Sequence, residues 1–167
     1  NDPNGINMGS KRITISTAGV ISKIEEFTKS KEKFKLAISL NGTTNEQRTS
    51  IMPINIKNSL DELLNVARRY TETVNRWLTF EYVLLKEIND SVEDAKRLLS
   101  MLAGMKKCKL NIIPYNETDG EFRRPDKDQI ENFVIALRPA KFPITVRWSK
   151  GTDIDAGCGQ LATRNQV

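Results

Sequence analysis

The sequence predicts an α/β domain built on a parallel sheet, and two observations support this class. Five short stretches rich in β-branched and apolar residues are separated by segments whose apolar residues recur with helical spacing. The chain has 167 residues, enough for one domain with a core and too few for two of ordinary size. Strands that alternate with helices favour a parallel sheet with helices outside, either open or curled toward a barrel.

Each predicted element has its own signal in the sequence. The strands are predicted over 12–17, 34–40, 77–85, 108–114 and 144–148. Helices are predicted over 21–29 and 128–137, with a helical turn over 45–50, and two more helices begin at Ser59 and Ser91, where the spacing to Glu62 and Asp94 is that of a capping box. The stretch 77–85 is apolar almost throughout, which is typical of a strand buried on both faces.

Composition excludes several kinds of site. The chain has no histidine, so a histidine base and a zinc site with a histidine ligand are both excluded. Its two cysteines are too few for a four-thiolate metal centre, and without secretory features they favour a reducing, cytoplasmic compartment. No stretch approaches the roughly 18 apolar residues of a membrane span. The net charge of +5 suits a polyanion such as RNA, although many unrelated proteins are equally basic.

Small polar residues follow several of the predicted strands. Ser16, Ser39 and Asn116 lie at the carboxyl ends of three of them, and functional residues of parallel α/β folds cluster at that edge. These side chains are able to hydrogen-bond a ribose, a carboxylate or an amino group of a ligand. The alternative is that each caps the following helix or satisfies a turn, which serines and asparagines do routinely.

The two cysteines have different surroundings. Cys158 lies between glycines in a polar segment after the last strand, which favours nucleophilic or carrier chemistry. Cys108 begins an apolar strand at the opposite edge, where a free thiol commonly packs as a small hydrophobe. Other polar candidates have ordinary explanations beside a functional one: turn residues for Asp153 and Asp155, and a solvated basic face for the pairs Arg123–Arg124 and Arg147–Lys150.

Taken in order, the strand ends resemble one known family. The matching segments are 12–19 (RITISTAG), 36–41 (LAISLN), 52–55 (MPIN), 79–85 (TFEYVLL) with 89–90 (ND), 108–116 (CKLNIIPYN), 144–147 (ITVR) and 153–161 (DIDAGCGQL). They resemble the RlmN/Cfr family of radical-SAM dual-specificity RNA adenine methyltransferases. The resemblance covers nearly the whole chain and implies the C-terminal portion of a radical-SAM partial (βα)6 TIM-like barrel, with residues 151–167 as a C-terminal tail.

The resemblance implies a cofactor set and a mechanism. Members of the family bind S-adenosyl-L-methionine (SAM) at a [4Fe-4S] cluster and methylate a C-terminal cysteine, which corresponds to Cys158. A 5′-deoxyadenosyl radical then activates that methyl group, which is transferred to an adenine of 23S rRNA, and by RlmN also of tRNA. A second cysteine releases the product by forming a disulfide with the carrier. The positions that correspond to the family's SAM-binding residues are Ser16, Ser39, Leu40, Asn41 and Asn116.

The chain also departs from the family pattern. The CxxxCxxC cluster motif, the Gly-Met-Gly-Glu-Pro segment, the resolving cysteine and the catalytic glutamate are absent from the sequence, and Asn41 and Gly157 replace the usual His and Ala. We therefore expect a C-terminal part of such an enzyme, inactive alone and without ligands for the cluster. The alternatives are a Cfr-type enzyme that methylates C8 instead of C2, and a non-catalytic RNA-binding fragment.

Overall fold

The computed structural model describes residues 9–30, 32–74, 76–118 and 120–148. Within them, five parallel strands form one sheet whose spatial order is the chain order. The strands are β1 (Thr14–Thr17), β2 (Lys35–Ser39), β3 (Leu78–Leu84), β4 (Cys108–Pro114) and β5 (Ile144–Val146). All five predicted strands are confirmed: β4 has the predicted bounds, and the other four are each two residues shorter than predicted. β1 begins later because a 3-10 turn occupies Ser10–Arg12, and β5 ends earlier because its pairing with β4 ends at Val146.

The helices lie between the strands as the sequence predicts. They are α1 (Ile21–Lys29), α2 (Asn45–Ile51), α3 (Leu60–Thr73), α4 (Val92–Leu102) and α5 (Lys127–Ala136), with a further 3-10 turn at Pro53–Ile56. Both predicted capping boxes are present: the hydroxyl of Ser59 accepts from the Glu62 amide, and that of Ser91 accepts from the Asp94 amide. These caps satisfy amides that the first helical turn leaves without partners.

The two faces of the sheet differ, and this corrects one prediction. Alternate residues of β3 and β4 are buried and half-buried, so the stretch predicted to be buried on both faces is buried on one only. Right-handed crossovers between strands in sequential order place every connecting helix on the same side. Among the described residues the opposite face is therefore left without helices, as on the inner side of a partial barrel, which favours the curled sheet over the open one.

The hydrophobic core lies between the sheet and the helices. Its central residues include Ile38, Phe80, Leu110 and Phe133, all 0% exposed. In the part of the chain that the structure describes, no helix is both long enough and apolar enough to cross a membrane.

Candidate functional site

The strand register places the predicted polar residues on the helix-free face. Ser39 of β2 is level with Glu81, Asn111 and Thr145 on the three following strands, which gives one polar row across the sheet. Ser16 of β1 is level with Ala37, two residues before Ser39, and so shares the same face. Residues two apart on a strand point to the same side, so Ser16 and Ser39 are brought to one surface near the carboxyl ends of the strands.

Ser16 has a carboxylate partner that the sequence did not suggest. Its hydroxyl donates to Oε2 of Glu81 at 3.3 Å, across the intervening strand β2. The residue beneath this contact is Ala37, whose small side chain leaves room for it. The pair supplies a hydroxyl and a negative charge on the helix-free face, a combination that suits ligand hydroxyls, ammonium groups or other cations.

Ser39 and Leu40 contribute differently to the site. The hydroxyl of Ser39 makes no hydrogen bond to any described residue, whereas its carbonyl accepts from Nη2 of Arg48 at 3.3 Å. Leu40 is fully buried, and its carbonyl accepts from Nε of Arg48 at 3.0 Å. Ser39 therefore offers a free side-chain group, while Leu40 contributes through its backbone conformation.

Asn41 uses its side chain within the protein. Its Oδ1 accepts from the Val83 amide at 2.9 Å and its Nδ2 lies 3.4 Å from Sδ of Met52, while the Asn41 backbone has a φ of 54°. Asparagine tolerates this left-handed conformation better than most residues do. The Asn41 carbonyl accepts from Nδ2 of Asn89 at 3.0 Å. The carboxamide thus extends the pairing of β2 with β3, and its remaining hydrogen-bonding capacity is small.

Asn116 stands out because one of its polar atoms is buried without a partner. The residue follows β4 and is 6% exposed, and its Oδ1 has no hydrogen-bond partner among the described residues. Buried polar atoms are almost always paired, since an unpaired one costs about 1–3 kcal/mol. An orphaned acceptor at the predicted site is the feature expected of a group that completes its hydrogen bonds with a ligand.

The alternative that these residues cap the following helices is wrong for Ser16, Ser39 and Asn116, the three polar residues at the carboxyl ends of the strands. The N-caps of the helices that follow β1, β2 and β4 are Val20, Thr44 and Asp126. Ser16, Ser39 and Asn116 are therefore not used as helix caps, which leaves their polar groups for other partners.

The loop after β2 is fixed by a buried carboxylate. Asp94, 3% exposed at the start of α4, accepts hydrogen bonds from Thr43 at 2.5 Å, Gln47 at 3.0 Å, Ser91 at 2.6 Å and Arg97 at 2.7 Å. Burial alone would raise the pKa of this carboxyl, but the four donors hold it below its ordinary value. The loop that carries Asn41 is thereby tied to α4 by a charged network.

The remaining candidates are placed as follows. Cys108 begins β4 at the opposite edge and is buried, as predicted, and burial raises the pKa of its thiol to about 11. The guanidinium of Arg124 lies 5.7 Å from the ring centroid of Trp148, and Arg123 donates to the carbonyls of Gly120 and Phe122. Cys158, Asp153, Asp155 and Lys150 lie outside the described residues.

Three residues of this edge were not identified from sequence: Arg48, Glu81 and Asn89. Arg48 lies in a polar helix that reads as solvated, Glu81 interrupts an apolar strand, and Asn89 lies in a turn. Asn89 bridges two strand ends by donating to the carbonyls of Asn41 and Val83. The only sequence signal for this group was Glu81, because a charged residue inside a nearly apolar strand needs a polar surface.

The fold is that of a partial-barrel α/β domain with a candidate ligand-binding site at the carboxyl ends of its strands, and solved structures with this fold are known. A domain of pyruvate-formate lyase-activating enzyme from Bacteroides vulgatus has a TM-score of 0.63 at 13% identity, over 81% of this chain and 80% of that one, which shows the fold alone. A radical SAM methyltransferase from Sphaerobacter thermophilus has a TM-score of 0.88 at 40% identity, over 93% of this chain and 46% of that one.

Sequence relatives point to the same group. A protein from Leptospira interrogans is 42% identical over 164 residues, and one from Pseudothermotoga lettingae is 43% identical over 159; both are named probable dual-specificity RNA methyltransferase RlmN. These matches cover 98% and 95% of this chain but 46% of each relative, so the chain spans about half the length of the curated relatives it matches. No family model matches the chain. The resemblance seen in the motifs is confirmed, and along nearly its whole length the chain is a relative of the RlmN methyltransferases.

Proposed function

We propose that this chain forms the SAM-binding second half of a radical-SAM RNA methyltransferase. The single observation that carries the proposal is the unpartnered Oδ1 of Asn116, buried at the edge where the Ser39 hydroxyl is also free of described partners. Support comes from the 40% identity and TM-score of 0.88 to a radical SAM methyltransferase, and from relatives named RlmN.

The polar residues at the carboxyl ends of the strands fit the chemistry of SAM. SAM carries ribose hydroxyls, an adenine, an ammonium group, a carboxylate and a sulfonium cation. The Ser16–Glu81 pair and the Ser39 hydroxyl supply acceptors and donors for the polar groups, and the Glu81 carboxylate favours positive charge nearby. The Asn116 carboxamide oxygen is an acceptor for an N–H or O–H of the ligand. Leu40 and Asn41 contribute through the backbone that Arg48 and Asn89 hold.

The residues present do not fit an iron–sulfur cluster. Among the described residues, no group of three or more cysteine, histidine, aspartate or glutamate side chains is arranged to hold a metal, and the sequence contains two cysteines. A four-thiolate cluster requires more ligands than that. In the proposed enzyme the cluster ligands come from outside these 167 residues, and the chain by itself is inactive.

For the whole protein we propose methylation at C2 of an adenine in 23S rRNA and in tRNA, in the cytoplasm. Cys158 is proposed as the carrier: its thiolate takes the methyl group from the sulfonium of SAM, leaving S-adenosylhomocysteine and S-methylcysteine. The alternative within the class is methylation at C8.

The test is a methylation assay on the natural protein that contains this sequence, prepared anaerobically with iron and sulfide. Supplied with SAM, a reductant and transcripts of 23S rRNA or tRNA, the protein should produce 2-methyladenosine in RNA digests analysed by mass spectrometry. The Cys158→Ala variant should produce none, whereas Cys108→Ala should retain activity because that thiol is buried at the other edge of the sheet.

Three results would require revision. Formation of 8-methyladenosine would replace the C2 proposal by the C8 alternative. Full activity of Cys158→Ala would overturn the carrier role. Salt-sensitive RNA binding without any methylated product would favour a non-catalytic RNA-binding module instead.

A further inference from the structure

Arg48 is a buried cation whose role the sequence did not reveal. Its side chain is 0% exposed, and within the described residues its guanidinium donates to carbonyl and amide oxygens and forms no ion pair. Burial lowers the pKa of Arg48, yet arginine remains protonated at neutral pH. A buried charge is tolerated only where its hydrogen bonds are well satisfied, so the acceptors around Arg48 indicate what it is for.

Three of these acceptors are backbone carbonyls at the ends of two neighbouring strands. Nη2 lies 2.6 Å from the Ala18 carbonyl oxygen, just after β1, and 3.3 Å from that of Ser39, the last residue of β2. Nε lies 3.0 Å from the carbonyl oxygen of Leu40. Arg48 therefore bridges β1 and β2 at the carboxyl edge of the sheet, where the ladder between the two strands has ended.

The fourth acceptor fixes the orientation of the guanidinium. Nη1 of Arg48 donates to Oδ1 of Asn55 at 2.9 Å. Nδ2 of Asn55 in turn faces three acceptors: the carbonyl and Oδ1 of Asn45, both at 3.1 Å, and the hydroxyl of Thr49 at 2.9 Å. These contacts leave Oδ1 of Asn55 as the atom that faces Arg48, and so hold the planar fork in one position.

Two glycines make room for this arrangement. A Cβ on Gly42, after β2, would lie 2.8 Å from N, Cα and Cβ of Arg48. A Cβ on Gly19, after β1, would lie 2.9 Å from Nη2 of Arg48 and 3.1 Å from Leu63, and Gly19 also has a φ of +102°. The loops that follow both strands thus approach Arg48 as closely as glycine permits.

We propose that Arg48 is a positioning residue for the cofactor site: it clamps the ends of β1 and β2 and so sets the geometry of Ser16, Ser39 and Leu40. This inference rests on the proposed function for its ligand, and on the hydrogen bonds alone for the clamp. Because the Ser39 carbonyl accepts from Arg48, the Ser39 hydroxyl is the polar group of that residue that we expect to face a ligand. Lysine keeps the charge but cannot replace a planar fork of five N–H donors.

The experiment compares Arg48→Lys with a destabilised control, Leu102→Ala, in the natural protein that contains this sequence, prepared anaerobically with iron and sulfide. Leu102 is 1% exposed at the end of α4, and its truncation lowers stability through a cavity without touching Arg48. SAM binding is measured by equilibrium dialysis at a temperature where near-ultraviolet circular dichroism shows all variants folded. We expect Arg48→Lys to weaken binding by about tenfold or more, and Leu102→Ala to change it by less than about twofold.

A second readout needs no ligand. The Leu40 amide donates to the backbone carbonyl of Glu81 at 2.8 Å, beside the clamp. The Leu78 amide donates to the backbone carbonyl of Lys107 at 2.8 Å, where β3 begins. In Arg48→Lys, hydrogen exchange at Leu40 should accelerate by about tenfold relative to Leu78, whereas Leu102→Ala should affect both amides alike.

The outcomes separate the two proposals. Equal loss of affinity in both variants, or uniform acceleration of exchange, would overturn the positioning role. Absence of SAM binding by the unmodified, cluster-loaded protein at millimolar ligand would count against the proposed function, and exchange at Leu40 would then decide the clamp alone. If Arg48→Lys does not fold, Gly42→Ala, which crowds the Arg48 backbone but keeps the guanidinium, should give the same exchange difference.

Discussion

Asp94 shows how one residue orders a loop of the candidate site. Its carboxylate is buried, and it joins the loop after β2 to the first turn of α4 through Thr43, Gln47, Ser91 and Arg97. Burial opposes the charge, but the hydrogen bonds outweigh it, so the pKa lies below that of an ordinary aspartate. The stability that this carboxylate provides is therefore present above the pKa of the unfolded chain and is lost as pH falls through the folded value.

We predict that Asp94→Asn lowers the free energy of unfolding by about 1–3 kcal/mol at neutral pH, because buried donors lose a charged acceptor. The deficit relative to the unmodified chain should shrink as pH falls below about 4, where the carboxylate is protonated. Urea denaturation at several pH values measures both effects. Glu93→Gln is the control, since that exposed carboxylate lies in the same helical turn and lies 4.0 Å from Lys96. A deficit independent of pH would contradict this account of Asp94.

Cys108 is the converse case, a neutral group whose ionised form is disfavoured. Burial raises the pKa of its thiol from 9.0 to about 11. We predict that N-ethylmaleimide at about pH 7.5 leaves Cys108 unmodified in the folded chain, because the thiolate is the reactive form and the thiol is inaccessible. Peptide mass spectrometry gives the readout, and the same reaction in concentrated urea, where Cys108 should be modified, is the control.

The same shift has a consequence for stability. The pKa of the Cys108 thiol is 9.0 in the unfolded chain and about 11 in the folded one. The stability that the buried neutral thiol provides is therefore present below pH 9.0 and is lost as the pH rises from 9.0 to about 11. Cys108→Ala should flatten that part of the stability profile. Rapid labelling of Cys108 in the folded state would show that the burial is wrong.

At the scale of elements, helix boundaries were predictable because their signals are local. Ser59 and Ser91 each satisfy amides within their own first turn, and the chain alone specifies that spacing. The burial of β3 was not predictable in the same way. Its apolar residues indicated two buried faces, but the placement of all helices on one side depends on strand order, which no local pattern contains.

Some residues of the candidate site were likewise predictable from local sequence signals, and others were not. Ser16, Ser39 and Asn116 were identified because polar residues that follow predicted strands lie at one edge of a parallel sheet. Arg48 was missed because it is paired with carbonyls 8, 9 and 30 residues away in sequence, and backbone carbonyls leave no mark in a sequence. Gly19 and Gly42 were the sequence signal of this close packing against Arg48, but turns use glycine for other reasons as well.

The cap of α3 gives a direct test at this scale. We predict that Ser59→Ala lowers the free energy of unfolding by about 1 kcal/mol, because the Glu62 amide loses its acceptor and the Glu62 carboxylate loses one of its two donors, the Ser59 hydroxyl. Ser100→Ala, at an exposed position within α4, should change it by less than about 0.5 kcal/mol. Urea denaturation measures both variants. Equal effects would indicate that the capping box contributes nothing.

At the scale of the molecule, β1 and β5 are the outermost strands of the sheet in the described part of the chain. β1 pairs with β2 alone among the described strands, and Ile15 of β1 is 38% exposed. Unpaired N–H and C=O groups on an edge strand favour pairing with another chain. We therefore predict that the 167-residue chain self-associates as its concentration rises, which sedimentation velocity over a dilution series detects.

A charge on that edge should oppose the association. Ile15→Lys is expected to shift the chain toward monomer, whereas Ile56→Lys, at a 75% exposed position in the 3-10 turn, should leave the association unchanged. A chain that sediments as a monomer at every concentration would show that β1 is protected.

The central claim is that the carboxyl edge of the sheet binds SAM, and the most direct measurement is a titration followed by two-dimensional ¹H–¹⁵N NMR of the natural protein that contains this sequence, prepared anaerobically with iron and sulfide. SAM should shift the amide signals of Ser16, Ser39, Leu40 and Asn41 and the side-chain amide of Asn116, which gains a partner for its buried oxygen. Amides at the amino edge, such as those of Leu78 and Cys108, should keep their positions. An unchanged spectrum at millimolar SAM, or shifts confined to the amino edge, would contradict the account.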